Sequence, residues 1–249
     1  MSTDTAACAQ QIRDIGYCIL RRHFPIDAID ACRLGFDTIA RSHLEKHGET
    51  PNRGPNRHYI SLPIQPPLYH PAFFDDEHIL AIVSEILGDN ILIDQFASDT
   101  PFKDSLHQEI HSDLRPIFQE DPDLPHPPAL LAINWPFIDV TLEHGPFQIA
   151  GGTHKLPKTE TIARIEAGEI SLKSLPMEVG DVLIRDPRCL HRGSPNVTDT
   201  PRPVAVISFL RSWYTRERVD AHPISQSVWD TLSNREKQLM RRFVIDESQ

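Results

Sequence analysis

The chain has 249 residues, 39% of them hydrophobic and 24% charged, with a formal net charge of −10, which is the balance of an ordinary globular protein. A chain of this length buries a sizeable core without disulfides. Its acidic charge argues against a nucleic-acid-binding protein, and no apolar run approaches the roughly 20 residues that a membrane span needs. We therefore expect neither nucleic acid nor a membrane among its partners.

The cysteines and the N-terminus predict a cytoplasmic protein. Cys8, Cys18, Cys32 and Cys189 are scattered and form no CxxC pair, which is typical of reduced thiols. The first twenty residues lack the basic segment and long apolar core of a signal peptide.

The first ninety residues are predicted to be mainly helical. Hydrophobic residues recur near helical spacing in residues 25–47, and Pro25 suits an early helical position. A second helix is predicted over residues 75–88, because acidic residues suit its start and Gly88 suits its C-terminal cap. The proline-rich stretch 51–71 predicts an ordered loop.

The middle of the chain predicts β structure, and its end predicts a helix. Ser233 and Glu236 form a capping box for a helix over residues 233–243. Several short strands with turn signals between them predict a sandwich or barrel. The predicted strands are apolar or β-branched runs bounded by Gly, Pro, Asn or Asp, at residues 90–99, 129–140, 146–152, 181–186 and 203–213.

This layout predicts a single domain over residues 1–249. Residues 1–90 are expected to give mostly helical support and a substrate loop, residues 90–213 the β core, and residues 214–249 a C-terminal helical segment. The fold class is therefore mainly β with flanking helices.

The stretch HQEIHSDLRP holds two overlapping His-x-acid pairs, His107/Glu109 and His111/Asp113. Residues i and i+2 of a strand point to the same face, so either pair can offer an imidazole and a carboxylate to one metal ion. All four residues share one parity, so periodicity does not choose between the pairs. Two histidines and one carboxylate with open positions are the signature of non-haem Fe(II) oxygenases. His191 is the best second histidine, because it follows an apolar strand and precedes a Gly/Pro/Asn loop.

Four segments together resemble a known family. DIGYCILRRHFPIDAIDACR is similar to its opening strand and first helix, and QEIHSD to its Gln-x-x-His-x-Asp motif. DVTLEHGPFQIAGGTHK is similar to its middle signature, except that Ala-Gly-Gly-Thr-His replaces the usual Pro-Gly-Ser/Thr-His turn. HRGSPNVTDTPRP is similar to its distal histidine followed by an arginine. The chain is identified as a member of the phytanoyl-CoA dioxygenase family of Fe(II)/2-oxoglutarate oxygenases, whose fold is a double-stranded β-helix, a jelly-roll or cupin-like core.

The resemblance implies a catalytic metal site and a co-substrate site. It implies that His111, Asp113 and His191 bind Fe(II), and Gln108 supports this choice because it stands three residues before His111 as the motif requires. It implies that Arg202 binds the far carboxylate of 2-oxoglutarate, for which a planar guanidinium is suited. O2 then takes the last iron position, and the products are succinate, CO2 and a hydroxylated substrate. The presence of Asp113 favours hydroxylation or another oxidation over halogenation.

Three further polar residues are expected near the co-substrate, each with a simpler alternative. Gln108 can contact the co-substrate or hydrogen-bond within the barrel wall. Asn134 and Trp135 are neighbours on a strand, so one faces inward; an inward Asn134 would bind the co-substrate carboxylate or a water, and Trp135 suits the core. Ser194 can bind the far carboxylate or stabilise a turn.

Substrate contacts are expected from loops. Arg57 and Tyr59 lie in a proline-bounded loop, Arg115 follows Asp113, and Arg192 follows His191. In an acidic chain this clustering of cations favours an anionic small-molecule substrate, with ordinary salt bridges as the alternative. The family's usual territory, secondary metabolism or catabolism, is an analogy.

Other functions remain open at this stage. The chain could be a catalytically inactive jelly-roll binding protein, or a zinc hydrolase on the same ligands. Among oxygenases the outcome could be desaturation, epimerisation or ring closure. The sequence leaves the oligomeric state open.

Overall fold

The computed structural model describes residues 5–48, 50–115, 117, 126–216 and 221–246. Its helices are α1 (Thr5–Ile15), α2 (Ile26–His47), α3 (Pro71–Phe74), α4 (Glu77–Leu87), α5 (Lys158–Glu166), α6 (Gln226–Thr231) and α7 (Asn234–Leu239). Its strands are β1 (Tyr17–Leu20), β2 (Arg57–Ser61), β3 (Ile91–Pro101), β4 (Leu130–Pro136), β5 (Phe147–Ile149), β6 (Lys173–Leu175), β7 (Val182–Arg185), β8 (His191–Gly193), β9 (Val204–Arg211), β10 (Ile224–Ser225) and β11 (Ile245–Asp246).

Two antiparallel sheets form the core of the fold. The large sheet has the strand order β1-β7-β4-β9-β3-β2, and the small sheet has the order β6-β5-β8. Side chains from both sheets line one cavity. Since consecutive neighbours in each sheet come from distant parts of the chain, this topology confirms the predicted mainly β fold with a jelly-roll core.

The helices cover the outer face of the large sheet, and β4 shows how the two faces differ. Asn134 lines the cavity, whereas its neighbour Trp135 is fully buried in the core on the other face. Trp135 stacks on Phe73 with ring centres 4.9 Å apart and meets the edge of Phe24 at 5.4 Å. The alternation of a strand therefore separates the site from the core, as the sequence predicted.

The predicted helices and strands are found, with shorter boundaries at several ends. The prediction of a loop over residues 51–71 is wrong in part, because this stretch contains β2, which pairs with β3 and carries Arg57 and Tyr59. The strand predicted over residues 129–140 ends at Pro136, which cannot continue a ladder as a donor. The strand predicted over 146–152 ends at Ile149, before the left-handed Gly152 (φ +82°). Gly88 ends α4, and the capping box of Ser233 and Glu236 begins α7. Helix α5 was not predicted.

The first ninety residues do more than support the barrel. They contain α1 to α4, but they also supply β1 and β2, the two edge strands of the large sheet. The assignment of the whole chain to a single domain stays a prediction. Among the described residues, none of the helices combines the length and the apolar character that crossing a lipid bilayer requires.

Candidate active site

Two histidines meet where the loop after β3 runs alongside the small sheet. His111 and His191 pair across an isolated antiparallel bridge, with N–O distances of 3.0 and 2.9 Å. Asp113 comes two residues later, and its amide donates to the carbonyl of Pro187 at 3.0 Å. Backbone hydrogen bonds therefore place the three side chains beside one another.

Each histidine is oriented by its own segment of chain. Nδ1 of His111 lies 2.7 Å from the carbonyl oxygen of Glu109, and Nδ1 of His191 lies 2.7 Å from that of Cys189. A carbonyl oxygen only accepts, so each Nδ1 donates its proton there and each Nε2 is the ring nitrogen left to bind a metal ion. The Nε2 atoms face the carboxylate of Asp113, at 3.6 Å from Oδ1 for His111 and 3.4 Å from Oδ2 for His191.

The three side chains can hold a metal ion. Their ligand atoms all lie within 4.8 Å of one another, and no other such group of His, Cys, Asp or Glu exists among the described residues. This spacing fits one ion bound at the usual distances of about 2.0–2.2 Å for imidazole nitrogen and carboxylate oxygen. Two imidazoles and one carboxylate are the donors of a facial triad with open positions.

The protonation states also suit a metal. Burial, together with the neighbouring His191, lowers the pKa of His111, which keeps its imidazole neutral. Burial alone would raise the pKa of Asp113, but His191 and the guanidinium of Arg185 outweigh it and hold that pKa well below its usual value. A neutral imidazole and an ionised carboxylate are the forms that bind metal.

The overlapping pair His107/Glu109 does not join this site. Neither residue lines the cavity, and Glu109 contributes only its backbone carbonyl, through the hydrogen bond to His111. The structure thus brings together His111, Asp113 and His191 and leaves the other pair outside.

The triad opens into a cavity of about 840 Å³. This is within the usual range for small-molecule sites, about 300–1,000 Å³. One side is apolar, with Phe147, Leu175, Met177 and Leu183 of a single hydrophobic cluster. The other side is polar and charged, with Arg53, Tyr59, Gln95, Asp99, Ser208 and Arg216.

The family model for phytanoyl-CoA dioxygenase (PhyH) matches residues 12–204. The chain belongs to this family. The match spans the triad and Arg202, and it confirms the family resemblance of the four sequence segments. Membership in the phytanoyl-CoA dioxygenase family places the chain among 2-oxoglutarate-dependent enzymes.

Three solved structures illustrate the proteins that share this fold. AviO1 from Streptomyces viridochromogenes Tue57 is 17% identical, with 87% of this chain and 99% of that chain covered at a TM-score of 0.67. The 2-oxoglutarate-dependent epimerase SnoN from nogalamycin biosynthesis is 17% identical, with 84% and 81% covered at 0.62. HygX from Streptomyces hygroscopicus, with nickel, 2-oxoglutarate and hygromycin B bound, is 18% identical, with 86% and 91% covered at 0.61.

Arg202, the residue predicted to bind the far carboxylate of 2-oxoglutarate, lies in a buried cluster of charges. It is 3% exposed, it lines the cavity, and its Nη2 lies 3.5 Å from Oδ2 of Asp99. Arg57 also binds that oxygen, with its Nη1 at 2.8 Å. Two buried guanidiniums therefore share one carboxylate, and Nε of Arg202 has no hydrogen-bond partner among the described residues. Burial lowers the pKa of Arg202 to about 10, and a second carboxylate would relieve this excess of positive charge.

The other expected co-substrate residues are placed differently from one another. Gln108 lines the cavity, and its Oε1 accepts from the amide of Gly193 at 2.9 Å. Asn134 lines the cavity, and its Oδ1 accepts from Nε of Arg185 at 3.2 Å. Ser194 is buried outside the cavity lining, and its hydroxyl donates to the carbonyl of Pro146. Its geometry fits the structural alternative of stabilising a turn.

The expected substrate residues divide into two groups. Tyr59 and Arg115 line the cavity. Arg57 is 1% exposed and lies behind the cavity, where it binds Asp99 and the carbonyl of Ser194. Arg192 donates to Oε1 of Gln148 at 2.8 Å and does not line the cavity. Both arginines are therefore engaged in salt bridges or hydrogen bonds with other residues of the fold.

Arg53 belongs to the stretch from which substrate contacts were expected, whereas the cavity residues Gln95, Ser208 and Arg216 escaped prediction from the sequence. Arg53 stacks on the ring of Tyr59, with its guanidinium carbon 4.5 Å from the ring centre. Gln95 donates to the hydroxyl of Tyr59 and accepts from Arg216 and from Ser208. Arg53 was visible in the proline-bounded loop, but the strand residues carried no motif.

Proposed function

We propose that the protein is an Fe(II)- and 2-oxoglutarate-dependent oxygenase that hydroxylates an unactivated C–H bond of a small organic molecule. 2-Oxoglutarate and O2 would be converted to succinate and CO2. The observation that carries the proposal is the constellation of His111, Asp113 and His191, with ligand atoms within 4.8 Å, at the wall of a cavity that also contains Arg202. Family membership supports the same chemistry.

The residues of the chain have distinct tasks in this reaction. Iron bound to His111, Asp113 and His191 would supply the oxidising chemistry, and the protein would supply binding and orientation. Arg202 would bind the far carboxylate of 2-oxoglutarate, because a guanidinium with an unpaired Nε can donate two hydrogen bonds to a carboxylate. Asn134 lines the same cavity from β4, and its amide would contact the near end of the co-substrate.

The apolar side of the cavity would protect the reacting bond from water. Phe147 packs against His191 with ring centres 4.9 Å apart, so an apolar surface begins directly beside the metal ligands. Leu183 and Met177 continue this surface. A substrate C–H bond placed here would be shielded from solvent, which limits side reactions.

We propose further that the substrate is anionic. Five arginines but only two aspartates among the described residues line the cavity, which leaves an excess of three positive charges. Arg53 and Arg115 make no ion pair with any described residue. The opposite charges of Asp94 and Arg57, just behind the lining, cancel each other. The charges of bound Fe(II) and of the 2-oxoglutarate dianion would also cancel. In a chain of net charge −10, this excess favours a carboxylate or phosphate on the substrate.

Two related solved structures carry names with another oxidative outcome. SnoN is an epimerase and SnoK a carbocyclase. Both outcomes use the same co-substrate, so epimerisation or ring closure is the second candidate for this chain. Their pathway, nogalamycin biosynthesis, supports a role in secondary metabolism.

All four cysteines are free, which supports a cytoplasmic location.

Succinate release tests the proposal. The protein should form succinate from 2-oxoglutarate only when both Fe(II) and O2 are present, and a panel of carboxylate- and phosphate-bearing compounds should accelerate this above the substrate-free rate. Mass spectrometry of the accelerated reactions distinguishes a gain of oxygen from an isomer or a loss of hydrogen. Turnover with Zn(II) in the absence of O2 would instead establish a hydrolase. Metal binding without any succinate would indicate a binding protein.

A further inference from the structure

Arg185 binds the carboxylate of Asp113 from the side of the large sheet. It is the last residue of β7 and is buried, and its Nη2 lies 2.8 Å from Oδ2 of Asp113. Oδ2 also faces Nε2 of His191 at 3.4 Å, and the other carboxylate oxygen, Oδ1, faces Nε2 of His111 at 3.6 Å. The two oxygens of Asp113 thus differ in that Oδ2 accepts a hydrogen bond from the guanidinium of Arg185.

The guanidinium of Arg185 is held from both sheets. Its Nε donates to Oδ1 of Asn134 on the adjacent strand β4, at 3.2 Å. Its central carbon lies 4.9 Å from the centre of the Phe147 ring, on β5 of the small sheet. The same ring packs against His191 at 4.9 Å. Arg185 is therefore fixed in place without any help from a metal ion.

A carboxylate in a facial triad has two ways to bind its metal. Binding through one oxygen leaves three positions open for co-substrate and O2, whereas binding through both oxygens occupies one of them. A charge-assisted hydrogen bond from a fixed donor to one oxygen favours the first way. We propose that Arg185 is a positioning residue that holds Oδ2 of Asp113 and presents Oδ1 to the metal. This inference rests on the metal site proposed above.

The charge of Arg185 and its proposed positioning role predict opposite changes in metal affinity when the residue is removed. A cation beside a bound divalent ion repels it, so if charge were its only influence, removing Arg185 would strengthen metal binding. If Arg185 positions Asp113, removing it weakens metal binding. Loss of a hydrogen bond to a metal ligand typically costs about 10- to 100-fold in metal affinity.

Titration with Co(II) in the absence of co-substrate distinguishes the charge effect of Arg185 from its positioning effect. We expect Arg185→Met to bind Co(II) about 10- to 100-fold more weakly than the wild-type protein. Arg185→Lys, which keeps the charge but cannot bridge Asn134 and Asp113 with one planar group, should recover only part of the affinity. The visible spectrum of bound Co(II), which reports coordination number, should change in both variants. The melting temperature of each metal-free variant records any loss of stability.

Arg21→Met is the matched control. Arg21 binds the buried Asp181 beside the start of the same strand, with Nη1 2.5 Å from Oδ2, and it does not line the cavity. Asp181 keeps two backbone donors, the amides of Arg22 and Glu178. This variant should lose stability and keep the wild-type affinity for Co(II).

The outcomes are distinct. Equal or tighter Co(II) binding by Arg185→Met would overturn the positioning role. If Arg185→Met does not fold, wild-type affinity and an unchanged Co(II) spectrum in Arg185→Lys would overturn it equally. Failure of the wild-type protein to bind Co(II) would instead remove the metal site, and with it the proposed function.

Discussion

His111 and His191 are paired through two backbone hydrogen bonds of one antiparallel bridge. The amide of His111 donates to the carbonyl of His191 at 3.0 Å, and the amide of His191 donates to the carbonyl of His111 at 2.9 Å. The amide and carbonyl of each histidine therefore fix the separation of the two imidazoles, whose ring centres are 4.5 Å apart. Asp113 lies two residues beyond His111 on the same segment, so the position of its carboxylate follows from the same bridge. The relative position of the three proposed metal ligands thus rests on backbone pairing.

This geometry predicts different effects for the two carboxylates of the segment. Asp113→Asn removes the charge of a proposed ligand and should weaken Fe(II) or Co(II) binding more than about 100-fold. Even the loss of a residue that only hydrogen-bonds to a ligand lowers metal affinity about 10- to 100-fold. Glu109→Gln changes only a side chain outside the cavity and keeps the carbonyl that orients His111, so its metal affinity should match the wild-type value. Calorimetric titration of both variants decides between the overlapping pairs. An equal loss in both would place Glu109 in the site.

The spacing of Gln108 to His111 has a physical basis that explains why the motif was informative. The amide of Gln108 donates to the carbonyl of Gly193 at 3.1 Å, and its side-chain Oε1 accepts from the amide of Gly193 at 2.9 Å. These two bonds align the segment with β8, so that His111 falls opposite His191. A short motif can be recognised in the sequence because it encodes this register.

The polar wall of the cavity could not be predicted in the same way. β3 carries a register shift between Ile93 and Gln95 in its pairing with β9. Strict alternation would turn Asp94 and Gln95 to opposite faces, but both bind Arg216, Asp94 through its two carboxylate oxygens at 3.1 and 3.0 Å. The segment ILIDQF contains no glycine or proline that would reveal a bulge. Contacts among residues of different strands likewise require the register, which no local pattern supplies.

Arg202→Met should act on the co-substrate and not on the metal. Loss of a charge-assisted hydrogen bond costs about 1.5–3 kcal/mol, so the apparent KM for 2-oxoglutarate should rise about 10- to 100-fold. Co(II) affinity without co-substrate should stay at the wild-type value, because Arg202 does not contact the triad. Steady-state succinate formation measures the apparent KM for 2-oxoglutarate, and titration measures the Co(II) affinity. Arg192→Met, which removes an arginine outside the cavity, is the control, and an equal rise in its KM would contradict the assignment.

Arg53→Gln and Arg115→Gln test the charge of the substrate. Exposed ion pairs contribute about 0.2–1 kcal/mol, so each variant should lower kcat/KM about 1.4- to 5-fold for an anionic substrate. The loss should shrink at high salt, which screens exposed charges. Lys103→Gln removes an exposed cation that pairs with Asp199 outside the cavity, and it should change nothing. Unchanged kcat/KM in both arginine variants would point to a neutral substrate.

A pair of histidines outside the site should make stability depend on pH. Nε2 of His43 lies 3.2 Å from Nδ1 of His58, and burial together with neighbouring histidines lowers the pKa of both groups. The unfolded chain binds protons at the ordinary histidine pKa of about 6.5, so below that pH it holds more protons than the folded chain. Stability should therefore fall as the pH drops through about 6.5, and it should be independent of these groups above it.

Melting temperatures between about pH 7.5 and pH 5.5 measure this dependence, because carboxylates titrate mostly below that range. His43→Gln keeps a hydrogen-bonding side chain opposite His58 but cannot become charged. It also removes the ring that packs against His47 at 5.0 Å and His58 at 5.2 Å, so its melting temperature at the upper pH provides the reference. Relative to that reference, the variant should lose less stability on acidification than the wild-type protein. A steeper loss in the variant would show that the His43–His58 pair accepts a proton readily in the folded state.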